Sequence, residues 1–204
     1  MTTPSKIVCV GRNYAAHAKE LGNEVPREPL IFLKPPSSII RNGTSIRLPC
    51  VSKQVEFEGE IGVVLGQRLR KASPEEARGA ISGIVAANDV TARDLQKSDS
   101  QWTRAKGFDT FCALGEVAAP PPDLNGLAVI TRVNGTVRQT GQARDMVFDL
   151  PAVLSYISNI MTLEPGDIVL TGTPDGVGTL SPGDVVEVEI PGVSRVSNPV
   201  SADT

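Results

Sequence analysis

The chain has 204 residues, 40% of them hydrophobic and 21% charged, with a formal net charge of -3. That balance suits a globular unit long enough to bury its own core and excludes a disordered chain, while the charge leaves no basic footprint for nucleic acid or an anionic membrane. Cys9, Cys50 and Cys112 are odd in number and outside any C-x-x-C spacing, which argues against a disulfide framework or zinc site and fits a reducing cytoplasm; the first apolar run, four residues, is too short for a signal-peptide core or membrane span.

In chain order, residues 6–11 read as a buried strand and residues 12–21 as a short helix on which Tyr14, Ala18 and Leu21 recur at helical spacing. Residues 29–36 form a short strand bracketed by prolines. Residues 55–66, VEFEGEIGVVLG, form a strand with unlike faces: Val55, Phe57 and Ile61 on one, Glu56, Glu58 and Glu60 on the other. Residues 73–81 follow as a helix, with Ser73 as cap, Pro74 at the first position and Glu76 at the capping-box position. A strand over 82–90 leads to a helical turn over 91–96, and Pro120 to Pro122 mark a loop. Asn134-Gly135, between two strand-like runs in 127–141, signals a hairpin. An amphipathic helix over 150–161 and strands over 166–172 and 184–190 complete the set, and the small, polar tail, 192–204, is expected to fray. Strands outnumber helices, and 19 Gly with 16 Pro supply turns, so the fold class is α+β and β-rich. No G-x-G-x-x-G opens a helix after a strand, which argues against a dinucleotide fold.

The carboxylates carry the chemistry. Glu58 and Glu60 place their Cβ atoms roughly 7 Å apart on one face, close enough for long side chains to converge on one ion. Alone, E-x-E is more often the polar side of a half-exposed strand. The continuation IGVVLG makes the strand central, however, and buried neighbouring carboxylates repel unless a cation joins them. Oxygen ligands in a chain with a single histidine point to Mg²⁺, Mn²⁺ or Ca²⁺ and away from Zn²⁺ or Cu²⁺. Asp89 is a third oxygen ligand or the N-cap of the next turn. His17 lies three residues before Glu20, as a base with its orienter or as an ordinary surface pair. Lys34 and Lys106 either meet a substrate carboxylate or snorkel to solvent. The loop TGTPDGVG, residues 171–178, has the glycines for an anion nest but lacks a P-loop ending.

Taken together, VGRNYAAHAKE, PLIFLKPPSS, FEGEIGVVLG, AANDVTARDLQ, WTRAKGFDTF and DIVLTGTPDGVG resemble the fumarylacetoacetate hydrolase family, in order from about Lys6 to about Glu189, and most closely its short acylpyruvase and oxaloacetate decarboxylase branch. The resemblance implies a single catalytic domain with a mixed β-roll, a lid-bearing segment over 1–28 and a homodimer. It implies Mg²⁺ or Mn²⁺, with no organic cofactor, on Glu58, Glu60 and Asp89. It makes His17, Glu20 and Lys106 catalytic, and Arg12, Tyr14, Lys34, Arg93, Gln96 and Thr173 contacts to a small 2-oxo acid. Glu56 has no counterpart in that ligand set. The implied activity is C–C hydrolysis of acylpyruvates or decarboxylation of oxaloacetate through a pyruvate enolate. Isomerisation, hydration or tautomerisation of related 2-oxo acids is the alternative within enzymes, and a catalytically silent metal-binding protein is the alternative outside them.

Overall fold

The computed structural model describes residues 3–203 apart from Leu21 and Asn23, so the helical position expected of Leu21 lies outside the described residues. Its strands are β1 (Ile7–Gly11), β2 (Leu30–Lys34), β3 (Ile39–Arg41), β4 (Ile46–Leu48), β5 (Val55–Phe57), β6 (Gly59–Leu65), β7 (Ile81–Asp89), β8 (Thr91–Ala92), β9 (Cys112–Leu114), β10 (Ala128–Val133), β11 (Thr136–Gln142), β12 (Ile168–Leu170), β13 (Gly178–Thr179), β14 (Val185–Ile190) and β15 (Ser194–Ala202). The helices are α1 (Ala15–Glu20), α2 (Pro74–Gly79), α3 (Arg93–Ser98), α4 (Thr103–Lys106) and α5 (Leu150–Ile160). The fold is the expected β-rich α+β arrangement.

A mixed sheet in the order β2-β1-β12-β6-β7-β9-β3 packs against a second, β11-β10-β14-β15-β4, and a small third sheet, β13-β5-β8, adjoins them. Ile61, Ile84 and Ala86 of the first sheet share a core with Val129, Val188 and Val196 of the second. The opposite face of the first sheet builds its own apolar cluster from Cys9, Val64, Val85, Ala87 and Leu170. Burial on both faces explains why β1, β6 and β7 read as nearly continuous apolar runs. By strand parity Glu60, Asp89 and Lys34 belong to this second face, which places three charges together where the apolar cluster ends.

Local signals act as read from the sequence. Ser73 and Glu76 close a reciprocal capping box on α2, and Asn134 and Gly135, at φ 52° and 77°, form the left-handed turn between β10 and β11. Four expectations need correction. The tail does not fray: β15 runs antiparallel to β14 and parallel to β4. Its Val196 and Val200 are buried, and the Asn198 amide donates to the carbonyls of Arg41 (2.9 Å) and Thr44 (2.8 Å). The helix expected from residue 12 begins at Ala15, because Arg12 is left-handed (φ 59°) and Tyr14 bridges to Met146. The glutamate-bearing strand breaks at Glu58 as the chain passes from the third sheet into the first. Finally, residues 91–96 divide between β8 and α3.

Candidate active site

The break at Glu58 aims its side chain away from the ladder and into a cavity. Its backbone N–H donates to Asn88 Oδ1 (2.9 Å), and its carbonyl accepts from the Asp89 N–H (2.8 Å), so β7 holds the break from the other side. Glu60 lies two residues on, and Asp89 ends β7. Carboxylate oxygens from these three buried residues lie within 4.8 Å of one another. Asp89 is therefore no helix cap: Ala92 occupies that position before α3 and makes no side-chain cap bond.

Three cations are buried with the carboxylates. Lys106 Nζ donates to Glu58 Oε2 (2.8 Å) and Asp89 Oδ2 (2.6 Å), while Lys34 Nζ donates to Asp89 Oδ1 (2.6 Å) and the Val90 carbonyl (3.2 Å). Arg93 pairs through Nε with Glu56 Oε2 (2.7 Å), and through its other nitrogens with Glu58 Oε1 and Gln96 Oε1. Burial would raise the Glu58 carboxyl, but Lys106 and Arg93 outweigh it and hold it well below the usual range. Burial would likewise lower the Lys106 ammonium, but Asp89 and Glu58 raise it to about 12. Glu60 is the exception. Burial, Asp89 and Glu58 all push it well above normal, and its hydrogen-bond partner among the described residues is one backbone N–H, from Gly172 at 2.7 Å. Four carboxylates, Glu56 included, thus face three cations, and the least compensated one projects into an all-oxygen cluster. That donor set fits a hard divalent cation.

The cavity is lined by Glu58, Glu60, Arg93, Gln96, Lys106 and Thr173 among the expected residues, and also by His17 and Arg12. His17 is 4% exposed, and its Nδ1 meets Glu20 Oε2 at 3.1 Å. The other oxygen of Glu20 accepts the Gly176 N–H (2.9 Å). Backbone N–H groups of the TGTPDGVG loop therefore do hold anions, but the anions are Glu60 and Glu20 of the same chain. Lys34 and Tyr14 do not line the cavity. Lys34 stands behind Asp89 and is committed to it. The buried Tyr14 hydroxyl has no hydrogen-bond partner among the described residues, and burial with Glu60 nearby raises its pKa. Thr173 Oγ1 donates to the Gly59 carbonyl (2.9 Å) and accepts from Gln139 Nε2 (2.8 Å).

Sequence reasoning missed several supporting groups. Gln139 accepts the Gly59 N–H (3.0 Å) while holding Thr173, a role with no local signal in β11. Trp102 and Phe32 line the cavity and meet edge to face at 5.3 Å between ring centroids. As the only tryptophan, beside the Lys106 segment, Trp102 was the one with a signal. Burial raises the thiols of Cys9 and Cys112, the latter to about 12, so neither is poised as a nucleophile.

The family model described as fumarylacetoacetate (FAA) hydrolase C-terminal matches residues 6–201. A protein of Arabidopsis thaliana named oxaloacetate tautomerase, mitochondrial, is 48% identical over 94% of this chain and 89% of its own length. One of Dictyostelium discoideum named oxaloacetate decarboxylase, mitochondrial, is 46% identical over 94% of this chain and 91% of its own length. The crystal structure of fumarylpyruvate hydrolase from Pseudomonas aeruginosa in complex with Mn²⁺ and pyruvate superposes with a TM-score of 0.91 at 28% identity, covering 98% of this chain and 91% of that one.

Proposed function

The chain belongs to the fumarylacetoacetate hydrolase family of enzymes, and from that premise we propose that it is a divalent-metal-dependent enzyme that cleaves small 2-oxo acids through a pyruvate enolate. The observation that carries this reading is the convergence of Glu58, Glu60 and Asp89 within 4.8 Å, flanked by Lys106 and Arg93. Those three carboxylates would hold Mg²⁺ or Mn²⁺, which supplies Lewis-acid polarisation of a 2-oxo group when bound.

The protein's own groups do the rest. Lys106 and Arg93, both buried, set fixed positive charge beside the place where enolate charge develops. Glu20 on Nδ1 of His17 favours the proton there and leaves Nε2 as a base. With an acylpyruvate, His17 takes a proton from water as that water adds to the distal carbonyl. The C–C bond then breaks, and its electron pair stays on the 2-oxo fragment as the enolate, which a proton converts to pyruvate. With oxaloacetate, loss of carbon dioxide leaves the same enolate.

A second reading, tautomerisation or isomerisation, draws support from the name of the Arabidopsis relative, since it needs only His17 to move a proton across C3. No organic cofactor is part of either reading. A homodimer is the proposed assembly, supported by Leu30 and Leu33, exposed on the edge strand β2; sedimentation tests it. The unpaired cysteines favour the cytoplasm. Among the described residues no helix is long and apolar enough to cross a membrane.

A panel of 2-oxo acids, assayed for pyruvate release and for enol–keto exchange with and without chelator, tests the function. Metal-dependent pyruvate release supports cleavage, exchange alone supports the second reading, and neither reaction on any member would leave a silent binding protein.

A further inference from the structure

Three cationic side chains line the cavity, and two are already neutralised. Arg93 is shared by Glu56 and Glu58, and Lys106 by Glu58 and Asp89. Arg12 forms no ion pair among the described residues. Its guanidinium instead lies over the face of Trp102, 6.0 Å from the ring centroid.

That placement is built. Trp102 is braced by the Phe32 ring at 5.3 Å, and a Cβ at Gly11 would come within 2.9 Å of the indole, so the glycine before Arg12 makes room for the ring. Arg12 itself has φ 59°. A long side chain rarely adopts that left-handed backbone, and such strain tends to collect where function requires a direction. Depth separates this group from the carboxylates. Glu58, Glu60 and Lys106 are buried, whereas Arg12, Trp102, Phe32 and Gln96 are half-buried and form the mouth.

We propose that Arg12, placed over the Trp102 ring, is a specificity-determining residue that binds a second carboxylate at the far end of the substrate, so that the site selects 2-oxo dicarboxylates over their neutral-ended counterparts. The inference rests on the 2-oxo acid reading above, which puts the 2-oxo carboxylate end at Glu58, Glu60 and Asp89. The guanidinium fork matches a carboxylate in two parallel hydrogen bonds, and partial burial at the mouth strengthens the pairing over that of a surface ion pair. A neutral end leaves Arg12 on the indole and gains nothing from it.

The test compares 2-oxoglutarate with its 5-methyl monoester, which differ in the distal charge, by calorimetry on the intact protein with Mn²⁺ saturating. The wild type should bind the diacid about 10- to 100-fold more tightly, the range of a charge-assisted pair. Arg12→Gln should bring that ratio to about one by weakening the diacid, and Arg12→Lys should retain part of it. Trp102→Leu, which removes the support but not the charge, should lower the ratio without abolishing it, and stands in should Arg12→Gln fail to fold. A ratio near one in the wild type, a preference that survives Arg12→Gln, or an equal weakening of both ligands would overturn the role of Arg12. Failure of the wild type to bind either ligand would overturn the 2-oxo acid reading itself, and this inference with it.

Discussion

Arg93 and Glu56 form a buried pair, Nε to Oε2 at 2.7 Å, and Gln54 Nε2 caps the other oxygen of Glu56 at 2.7 Å. Glu56 thereby takes part of the guanidinium charge that would otherwise fall on Glu58. Removing the Glu56 charge should draw Arg93 closer to Glu58 and make Glu58 a weaker donor to metal. Glu56→Gln is thus expected to lower Mn²⁺ affinity by roughly 10- to 100-fold, the usual cost of altering a group that supports a ligand. A Mn²⁺ titration reads this directly, and complete loss of binding would instead make Glu56 a ligand.

Gly59, between the two glutamates, has no room for a side chain. A Cβ there would fall 1.9 Å from Thr131 Oγ1 and 3.3 Å from Gln139 Oε1, the atom that receives the Gly59 N–H. Gly59→Ala should push β6 away from β10, destabilise the protein by about 1–3 kcal/mol and weaken metal binding. Thr131 Oγ1 is buried without a hydrogen-bond partner among the described residues, so Thr131→Ala should cost little. The double variant should recover most of the melting temperature, and no recovery would place the strain elsewhere.

What the sequence made legible was local or periodic. Capping box, hairpin turn and glutamate parity each depend on spacings of a few residues, and parity separated Phe57 and Ile61 from Glu58 and Glu60. The partners of the glutamates were not legible. Lys34 and Lys106 meet on Asp89 from positions 55 and 17 residues away, and sheet order, not composition, brings them together. The tail was misread because Ser, Asn and Pro mask its alternation. Asn198 is buried through side-chain bonds to β3 and the turn after it, not through apolarity. The anion nest was the right chemistry with the wrong anion, since local sequence does not reveal that Glu20 and Glu60 fold onto it.

Metal should stabilise the fold by mass action. At a Mn²⁺ concentration one hundred times Kd the gain is about 2.7 kcal/mol, visible as a higher melting temperature that chelator reverses. Glu60→Gln replaces the least compensated carboxylate with a neutral group, so it should raise the metal-free melting temperature or leave it unchanged while abolishing the Mn²⁺ shift. A full shift in that variant would remove Glu60 from the ligand set.

Asp167 anchors the start of β1 to the loop before β12. Its carboxylate accepts from the Ser5 N–H (3.0 Å), Ser5 Oγ (2.7 Å), the Lys6 N–H (3.1 Å) and the Glu164 N–H (2.8 Å), with the Lys6 ammonium at 2.5 Å. Burial would raise this carboxyl, but the Glu164 N–H, Lys6 and Ser5 lower it. A lowered folded pKa gives stability that is present above the unfolded value, about 3.9, and is lost as pH falls through the folded one. Asp167→Asn should therefore cost about 1–3 kcal/mol near neutral pH, and less below pH 4, in urea melts. An equal cost at both pH values would show that the charge is not what matters.

The two cleavage chemistries separate at His17. Hydrolysis requires a water to be deprotonated as it adds to the distal carbonyl, and His17, held through Nδ1 by Glu20, is the base that lines the cavity apart from the carboxylate cluster. His17→Ala should therefore lower kcat for an acylpyruvate by about 10²- to 10⁴-fold. Decarboxylation of oxaloacetate uses no water, so the same variant should lose much less in kcat, with any damage falling on KM through the lost cavity wall that His17 supplies. Glu20→Gln should give a milder copy of the pattern, because it leaves the imidazole in place and also weakens the tie to the Gly176 N–H. Both substrates, assayed on one His17→Ala preparation with metal saturating, decide the point. Equal losses in kcat would move His17 to a step that both reactions share, most simply protonation of the enolate at C3, and would take water activation away from it.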